Sequence, residues 1–332
     1  MASKKTIVVL GATGNQGGSV VETFLQAGQW SIRGVTRNPN SEKALKLASR
    51  GVAVVTADLN DGNSLDAAFA DAHAIFIVSD FWGIYGDPAN ATKPAQGETL
   101  NLWAARTEKQ QLVNAIDAAS KVPSLERLVL SSLPNCSKWS REKYTHVYHF
   151  DFKAQAAEYA QQAYPNLWAK TSVFQPGWFL GNYLSNPLVQ PRRENDVVVF
   201  ASSVKGDLKL PLIAPDEDSG PLVKALLEDS PGKNLIAYRQ WMSLEEMVEI
   251  FAKVTGLSAQ YVTLPAGEPD LPLPEGLKAE LDDNWAYFNE CGYEARDDPT
   301  VIHPNQLEEC PKLGSVREWI QQQDWSFVAK AN

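Results

Sequence analysis

Three glycines near the start of the chain have the spacing of a loop that binds phosphate groups. Gly11, Gly14 and Gly17 follow a short apolar run at 6–10 and precede a helical segment. Unpaired N–H groups and the helix dipole at the start of a helix attract anions such as a dinucleotide pyrophosphate. Glycine permits the sharp turn, the close approach of phosphates and the close packing of helix on strand. A tight turn alone also uses glycine, but the strand before and the helix after favour a dinucleotide site.

The end of the second predicted strand indicates which dinucleotide binds. Arg37 stands where NAD-specific proteins usually carry an acidic residue that binds both ribose hydroxyls. A guanidinium there can instead pair with a 2′-phosphate, so the sequence favours NADP(H) as the cofactor. Lys43 in the next predicted helix could share or replace this role, and Arg37 could also be a solvated loop residue.

Two more strand ends are predicted to face this cofactor. Asp58 and Leu59 follow the third strand and suit contact with the adenine edge, although an aspartate there can simply cap the next helix. Ser79 and Phe81 follow the fourth strand, near the expected path of the pyrophosphate and the nicotinamide ribose.

A parallel sheet is needed to bring these residues together. Short β-branched runs alternate with longer helical segments over the first half of the chain, as is typical of βαβ units. The strands are predicted at 6–10, 31–36, 52–57, 74–78, 127–131 and 169–174, and the helices at 16–27, 41–50, 64–70, 99–120 and 150–164. We therefore predict an α/β fold with a doubly wound Rossmann sheet that binds ligands at the carboxyl ends of its strands.

The alternation stops after Pro176, where proline, glycine and charged residues become frequent. The remaining predicted elements are a strand at 197–200, helices at 217–228 and 244–255, and an extended connector at 264–274. Ser243 and Glu246 form a capping box for the second of these helices. We predict a Rossmann domain at 1–176 and a smaller, less regular α+β lobe at 177–332, leaving open that the chain crosses back between them.

Composition excludes several classes of protein. The 332 residues carry a formal net charge of −10, which argues against direct binding to nucleic acid or to anionic membranes. Three widely spaced cysteines and four histidines indicate neither a disulfide framework nor a metal site. With no apolar run long enough to span a bilayer, we expect a cytoplasmic protein, with the nucleus as an alternative.

Five segments together resemble the NmrA-like family, whose members are atypical short-chain dehydrogenases. They are GATGNQGGSV at 11–20, VTRNP at 35–39, IVSDFW at 77–82, HFDFK at 149–153 and WMSLEEMVEIFAKVTG at 241–256. The likeness covers nearly the whole chain and is greatest to the NADPH-sensing type and its fungal homologues. It implies that the pyrophosphate is held by Gly11, Thr13, Gly14, Asn15, Gln16 and Gly17. It also implies that Arg37 binds the 2′-phosphate, Lys153 the nicotinamide ribose, and Gln175 and Pro176 the region of the carboxamide.

One departure from the superfamily concerns its catalytic Tyr-x-x-x-Lys pattern, in which the lysine lowers the tyrosine pKa for proton transfer. His149 occupies the tyrosine position, four residues before Lys153 and on the same helical face. Tyr148 is adjacent but about 100° round the helix. Ser131 or Ser132 occupies the upstream serine position. The catalytic candidates are therefore His149, Lys153, Ser132 and Tyr148.

Three interpretations of His149 stay open. The protein could reduce a small carbonyl, imine or activated alkene with hydride from NADPH, since an imidazole, with an ordinary pKa of about 6.5, can donate a proton near neutral pH. It could instead bind NADP(H) without turnover and report the redox state to a protein partner. His149 could also be an ordinary residue at a helix start.

Several aromatic residues are predicted to flank the nicotinamide. They are Trp82, Trp139, Tyr144, Trp178 and Phe179. They could wall a pocket for a small-molecule substrate or anchor a long loop against the second lobe, and the presence of Trp82, Trp178 and Phe179 near the same cleft slightly favours the pocket. The oligomeric state is also open, because the predicted helix at 99–120 could form a dimer contact or pack on the sheet.

Overall fold

The strands and helices are those of a computed structural model that describes residues 4–268 and 272–329. Over these residues the strands are β1 (Thr6–Val9), β2 (Ser31–Thr36), β3 (Ala53–Thr56), β4 (Ala74–Ile77), β5 (Arg127–Ser131), β6 (Thr171–Pro176), β7 (Trp178–Phe179), β8 (Arg192–Glu194), β9 (Val197–Ser202), β10 (Lys209–Ile213), β11 (Asn234–Ala237), β12 (Gln240–Ser243), β13 (Ala259–Thr263) and β14 (Val301–Ile302). The helices are α1 (Asn15–Ala27), α2 (Glu42–Ser49), α3 (Gly62–Phe69), α4 (Phe81–Gly86), α5 (Leu100–Ser120), α6 (Cys136–Trp139), α7 (Tyr148–Ala163), α8 (Pro165–Trp168), α9 (Asn182–Ser185), α10 (Pro215–Glu228), α11 (Leu244–Thr255), α12 (Glu275–Cys291), α13 (Val316–Gln322) and α14 (Ser326–Ala329).

The main sheet is parallel throughout and has the order β14-β11-β6-β5-β4-β1-β2-β3. Its winding reverses between β1 and β4, which pair directly with Val9 opposite Phe76. The loops after these two strands therefore lie side by side at the carboxyl edge, where doubly wound sheets bind ligands. The predicted α/β fold with a Rossmann sheet is confirmed.

Over the described residues the sheet has eight strands, so the expectation of six was incomplete. β11 pairs with β6, and β14 pairs with β11, both from the chain after Pro176. Helix α10 returns to the same layer and packs on α1, where Gly220 N–H donates to Ser19 Oγ at 2.9 Å. A Cβ on Gly220 would lie 2.1 Å from Ser19 O, so only glycine fits this contact. The chain thus crosses back, and the division at 1–176 and 177–332 stays a prediction.

The rest of the later chain forms what we call the C-terminal lobe. It contains two three-stranded sheets, β12-β10-β7 and β13-β9-β8, together with helices α11 to α14. The predicted capping box of α11 is present, because Glu246 N–H donates to Ser243 Oγ at 3.1 Å and Ser243 N–H to Glu246 Oε2 at 2.8 Å. Helix α12, which follows the connector predicted at 264–274, was not predicted from the sequence. Residues 269–271 of that connector lie outside the described residues.

No helix in the described ranges is long and apolar enough to cross a membrane.

Candidate cofactor and active site

The glycine loop between β1 and α1 has the geometry that a phosphate site needs. Gly11 adopts a left-handed φ of +60°, and its carbonyl accepts a 2.8 Å hydrogen bond from Gly14 N–H. A Cβ on Gly17 would lie only 2.3 Å from that carbonyl oxygen. Helix α1 then begins at Asn15 without a side-chain cap, and Gly14 and Asn15 are exposed. The first N–H groups of α1 are therefore open to an anion.

Basic side chains lie on one side of this loop. Lys43 on α2 donates from Nζ to Thr13 O at 3.4 Å, so it reaches the loop directly. Arg37 is exposed and forms no hydrogen bond or ion pair with any other described residue. On the other side, Ser131 at the end of β5 donates to Gln16 Oε1 at 2.9 Å. Helix α2 and the end of β5 thus contact the glycine loop and the first turn of α1, respectively.

The residues predicted near the adenine are held in a local turn. Asp58 Oδ1 accepts hydrogen bonds from Asn60 N–H at 2.8 Å and from its amide at 2.9 Å. The cap of α3 is Asp61, which accepts from Asn63 N–H at 3.0 Å, rather than Asp58. Leu59 is half-buried beside this turn.

Lys153 lies on α7 and is paired with a buried carboxylate that sequence reasoning had missed. Glu108 on α5 is 0% exposed, and its Oε2 accepts from Lys153 Nζ at 2.6 Å. Its Oε1 accepts from Ser79 Oγ at 2.8 Å. Lys153 Nζ also donates to His149 O at 3.2 Å. The end of β4 and the lysine of α7 are therefore linked through one glutamate.

His149, one turn earlier on α7, is paired with a second buried carboxylate that was also missed. Glu280 on α12 is 0% exposed. Its Oε1 accepts from His149 N–H at 3.0 Å and lies 2.5 Å from His149 Nδ1. Its Oε2 accepts from Asn101 Nδ2 on α5 at 2.8 Å. A residue of the C-terminal lobe thus holds the imidazole of a Rossmann helix.

Aromatic rings enclose this imidazole. Phe81 and Trp82 lie 5.5 Å and 5.1 Å from its ring centroid, and Phe150 lies at 4.8 Å. Phe81 is 1% exposed, whereas Trp82 is 45% exposed. Of these two rings, Trp82 is therefore the one whose surface solvent or a bound molecule can reach.

Two catalytic candidates are not joined to the His149 network. Ser132 Oγ forms its hydrogen bond with Leu133 O at 3.4 Å, and Tyr148 stacks edge-on against His146 and Phe152. Burial, followed by the charges of nearby carboxylates, raises the pKa of Tyr148, which makes its phenol a weaker proton donor.

The other predicted pocket residues are dispersed. Tyr144 donates to Glu290 Oε2 at 2.6 Å on α12, and Trp139 packs into the core of the C-terminal lobe. Trp178 packs against Trp285 in the same core, whereas Phe179 belongs to the apolar cluster beside α1 and α10. These contacts fit the anchoring alternative for the loop that precedes α7.

The two residues at the end of β6 face different partners. Gln175 is 3% exposed and donates from Nε2 to Asn234 Oδ1 at 2.5 Å, while its Oε1 is buried without a partner among the described residues. Pro176 O accepts from Tyr293 OH at 2.9 Å. The amide oxygen of Gln175 is therefore a buried acceptor that no described residue satisfies.

Comparison with known proteins assigns the family. The NmrA-like family profile matches residues 3–320. The chain belongs to the NmrA-like family. The NmrA-like oxidoreductase ptmS of Penicillium ochrochloron is 28% identical, over 96% of this chain and 97% of that protein. The NmrA-like oxidoreductase FrzB of a Cladobotryum species is 27% identical, over 80% of this chain and 76% of that protein.

Solved structures share the fold. NmrA, described as a negative transcriptional regulator, superposes with a TM-score of 0.75 in a complex with NAD and 0.73 in a complex with NADP. It is 19% and 18% identical in the two comparisons, which both cover 97% of this chain and 95% of that one. The Citrobacter triphenylmethane reductase complexed with NADP(H) has a TM-score of 0.65 at 19% identity, over 96% of this chain and 99% of that one.

Proposed function

We propose that this NmrA-like protein binds NADP(H) and reduces a small carbonyl, imine or activated alkene. The observation that carries this proposal is the placement of His149 and Lys153 on one face of α7, beside Ser79 at the strand end next to the glycine loop. When bound, the reduced nicotinamide supplies hydride. Relatives named as oxidoreductases and a fold shared with NADP complexes support the assignment.

The loop residues fit the cofactor in three respects. The open N–H groups at the start of α1 suit the pyrophosphate. A side chain at Gly17 would collide with the Gly11 carbonyl and force the turn that presents these groups out of shape. Arg37 and Lys43 supply positive charge for a 2′-phosphate. The orphaned Oε1 of Gln175 suits the amide donors of a carboxamide.

Two residues of α7, Lys153 and His149, have separate roles in this proposal. Lys153, with Glu108 and Ser79 behind it, would hold the nicotinamide ribose by hydrogen bonds from Nζ. His149 would donate a proton to the substrate heteroatom. Trp82 would offer an exposed flat surface for the substrate, while Ser132 and Tyr148 would stay outside the transfer.

Calorimetry of cofactor binding tests the first half of the proposal. NADPH should bind at least about tenfold more tightly than NADH, the value of one or two charge-assisted hydrogen bonds. Arg37→Ala should remove most of this preference, and Lys43→Ala a smaller part. Lys46→Ala, an exposed lysine on the same helix α2, is the matched control and should change neither affinity. Equal affinity for both cofactors in the unmutated protein would contradict the assignment of Arg37.

NADPH consumption tests the second half. A panel of 9,10-phenanthrenequinone, cinnamaldehyde and 3,4-dihydroisoquinoline covers the three substrate classes. His149→Gln and Lys153→Met should each lower the turnover of any active compound by about 100-fold. Turnover that survives both changes would refute the proposed site.

A second candidate is a redox sensor without turnover. The observation that favours it is the enclosure of His149, whose side chain is only 11% exposed between three aromatic rings. It is supported by the regulator NmrA among the proteins of this fold. For a sensor, no compound of the panel is reduced, and NADPH and NADP⁺ protect α12 from proteolysis to different degrees.

A further inference from the structure

Glu280 is fully buried, and both of its carboxylate oxygens have hydrogen-bond partners. Its two oxygens take three contacts: His149 N–H at 3.0 Å, His149 Nδ1 at 2.5 Å and Asn101 Nδ2 at 2.8 Å. A carboxylate this deeply buried is costly unless several donors satisfy it. The carboxylate of Glu280, in the C-terminal lobe, is therefore held in contact with the imidazole of His149.

The contact engages one specific ring nitrogen. Because Nδ1 faces Glu280, Nε2 is the nitrogen left for exchange, and it has no hydrogen-bond partner among the described residues. The ring keeps 11% of its side chain exposed, beside the exposed Trp82. A carboxylate on one nitrogen orients the ring and sets its tautomer, so that the other nitrogen can carry a proton to a reactant.

We propose that Glu280 is the positioning residue of the active site, which holds His149 so that Nε2 donates the proton during reduction. This inference rests on the proposed reductase function. The substrate class it implies is a flat conjugated molecule with a C=O, C=N or activated C=C bond, seated against Trp82.

The proposed step balances in atoms and charge. When bound, the reduced nicotinamide would supply hydride to the electrophilic carbon. The π electrons of the C=O or C=N bond would then move to the heteroatom, or along the conjugated system of an activated alkene. The proton on His149 Nε2 passes to the atom that receives them, which leaves neutral imidazole with Nδ1–H still on Glu280. A proton taken up from bulk solvent then restores Nε2–H, so that each reduction would consume one hydride and one proton.

The position of Glu280 also ties proton donation to the docking of the lobe. Helix α12 meets α5 closely at its first turn, where Asn101 Nδ2 also donates to Gly276 O at 2.9 Å. A Cβ on Gly276 would lie 2.7 Å from Thr99 Cβ, an atom fixed to the backbone at the start of α5, so this approach favours glycine. The carboxylate reaches His149 only when α12 lies against α5 and α7.

The chain provides a matched control. His146 lies three residues before His149, and Asp283 three residues after Glu280 on α12. Asp283 Oδ2 accepts from His146 N–H at 3.0 Å and lies 2.8 Å from His146 Nδ1. This pair repeats the contact pattern outside the site, with the two side chains 48% and 23% exposed.

The test compares Glu280→Gln with Asp283→Asn in the full-length protein. With the three-compound panel and NADPH, Glu280→Gln should lower kcat by about 100-fold, with KM for NADPH within about twofold. Asp283→Asn should leave both unchanged. In ¹⁵N-histidine spectra, which contain four rings, the Nδ1 signal of His149 should shift in Glu280→Gln and that of His146 should not. His149→Gln assigns the signal.

The outcomes separate the two proposals. If the unmutated protein turns over and Glu280→Gln keeps its kcat or its His149 signal, the positioning role is overturned and the reductase function stands. If the unmutated protein binds NADPH but reduces no compound, the reductase function fails and the inference falls with it. If Glu280→Gln does not fold, Glu280→Asp keeps the charge and withdraws the carboxylate. It should then lose about tenfold in kcat, and an unchanged kcat would overturn the proposal.

Discussion

Two histidine–carboxylate pairs join the start of α7 and the segment before it to α12, and they differ mainly in burial. In each pair one carboxylate oxygen meets both the backbone N–H and the Nδ1 of a histidine. The His146–Asp283 pair is partly exposed, whereas in the His149–Glu280 pair the glutamate is 0% exposed. Matching contacts can therefore differ in energy and in chemical use, because the surroundings set the value of a charge.

The difference follows from solvation. Water and salt already stabilise the exposed pair when it is open, so closing it gains little. The buried carboxylate has lost its water and depends on His149 and Asn101 for every contact. Removing either partner leaves polar groups without a replacement.

The largest effect is expected for Glu280→Ala. It strips three donors of their acceptor and opens a cavity, so the free energy of unfolding should fall by about 3–5 kcal/mol. Urea unfolding followed by circular dichroism measures this. Glu275→Ala, at the exposed start of the same helix, is the control and should cost less than about 0.5 kcal/mol. A loss for Glu280→Ala below about 1 kcal/mol would remove the energetic distinction between the pairs.

Lys153→Met tests whether the buried Lys153–Glu108 pair behaves like the buried His149–Glu280 pair. Glu108 would keep only Ser79 as a partner, and we expect a loss of about 3 kcal/mol. The double variant Lys153→Met, Glu108→Gln should recover more than half of it, because no buried charge is left alone. A double-mutant cycle in urea measures the coupling. Strict additivity of the two losses would argue against an ion pair.

Asn101→Ala isolates the third contact of Glu280. One buried oxygen loses its donor, so we expect a loss of about 1–3 kcal/mol in urea unfolding. Gln110→Ala, an exposed amide on the same helix α5, should change stability by less than about 0.5 kcal/mol. Equal effects of the two variants would show that Glu280 does not need the amide.

Asp283→Asn should have a small effect that depends on salt. The exposed pair contributes at most about 1 kcal/mol, and this should nearly vanish at about 0.5 M salt. Unfolding midpoints at low and high salt give the comparison. A salt-independent loss as large as that of Glu280→Ala would show that exposure does not distinguish the pairs.

The smallest effect is expected at Glu290, at the end of α12. Hydrogen bonds from Lys143 and then Tyr144 lower the pKa of this carboxyl. A lowered pKa in the folded state stabilises the fold above the ordinary carboxyl range, and the contribution is lost as the pH falls through the folded pKa. The difference between Glu290→Gln and the unmutated protein in urea should therefore shrink from pH 6 towards pH 3. A difference that grows on acidification would reverse the assigned sign.

The sheet could be predicted because its signals are local. The strand expected at 31–36 is β2 with the same bounds, and that at 127–131 is β5. Each strand is read from the alternation and β-branching of a few neighbouring residues. The short strands β11 and β14 lack such a signal, since pairing with β6 rather than local pattern makes them part of the sheet.

Two residues of the candidate site left a signal that sequence reasoning did not use. Glu108 lies in the buried stripe of α5 with Ala104, Ala105 and Leu112, and Glu280 lies in that of α12 with Leu277 and Leu281. An acidic residue at a buried position of an amphipathic helix is rare unless it is paired. The stripe could have flagged both glutamates, although it could not have named their partners.

The sequence by itself determined the glycine loop, the basic residues beside it and the helical spacing of His149 and Lys153, because each depends on residues close together in the chain. Only the tertiary structure decided what those two side chains contact. Glu280 is 131 positions from His149, and Glu108 is 45 from Lys153. No local pattern relates such residues, since the packing of α5, α7 and α12 brings them together and excludes the water that would otherwise solvate them.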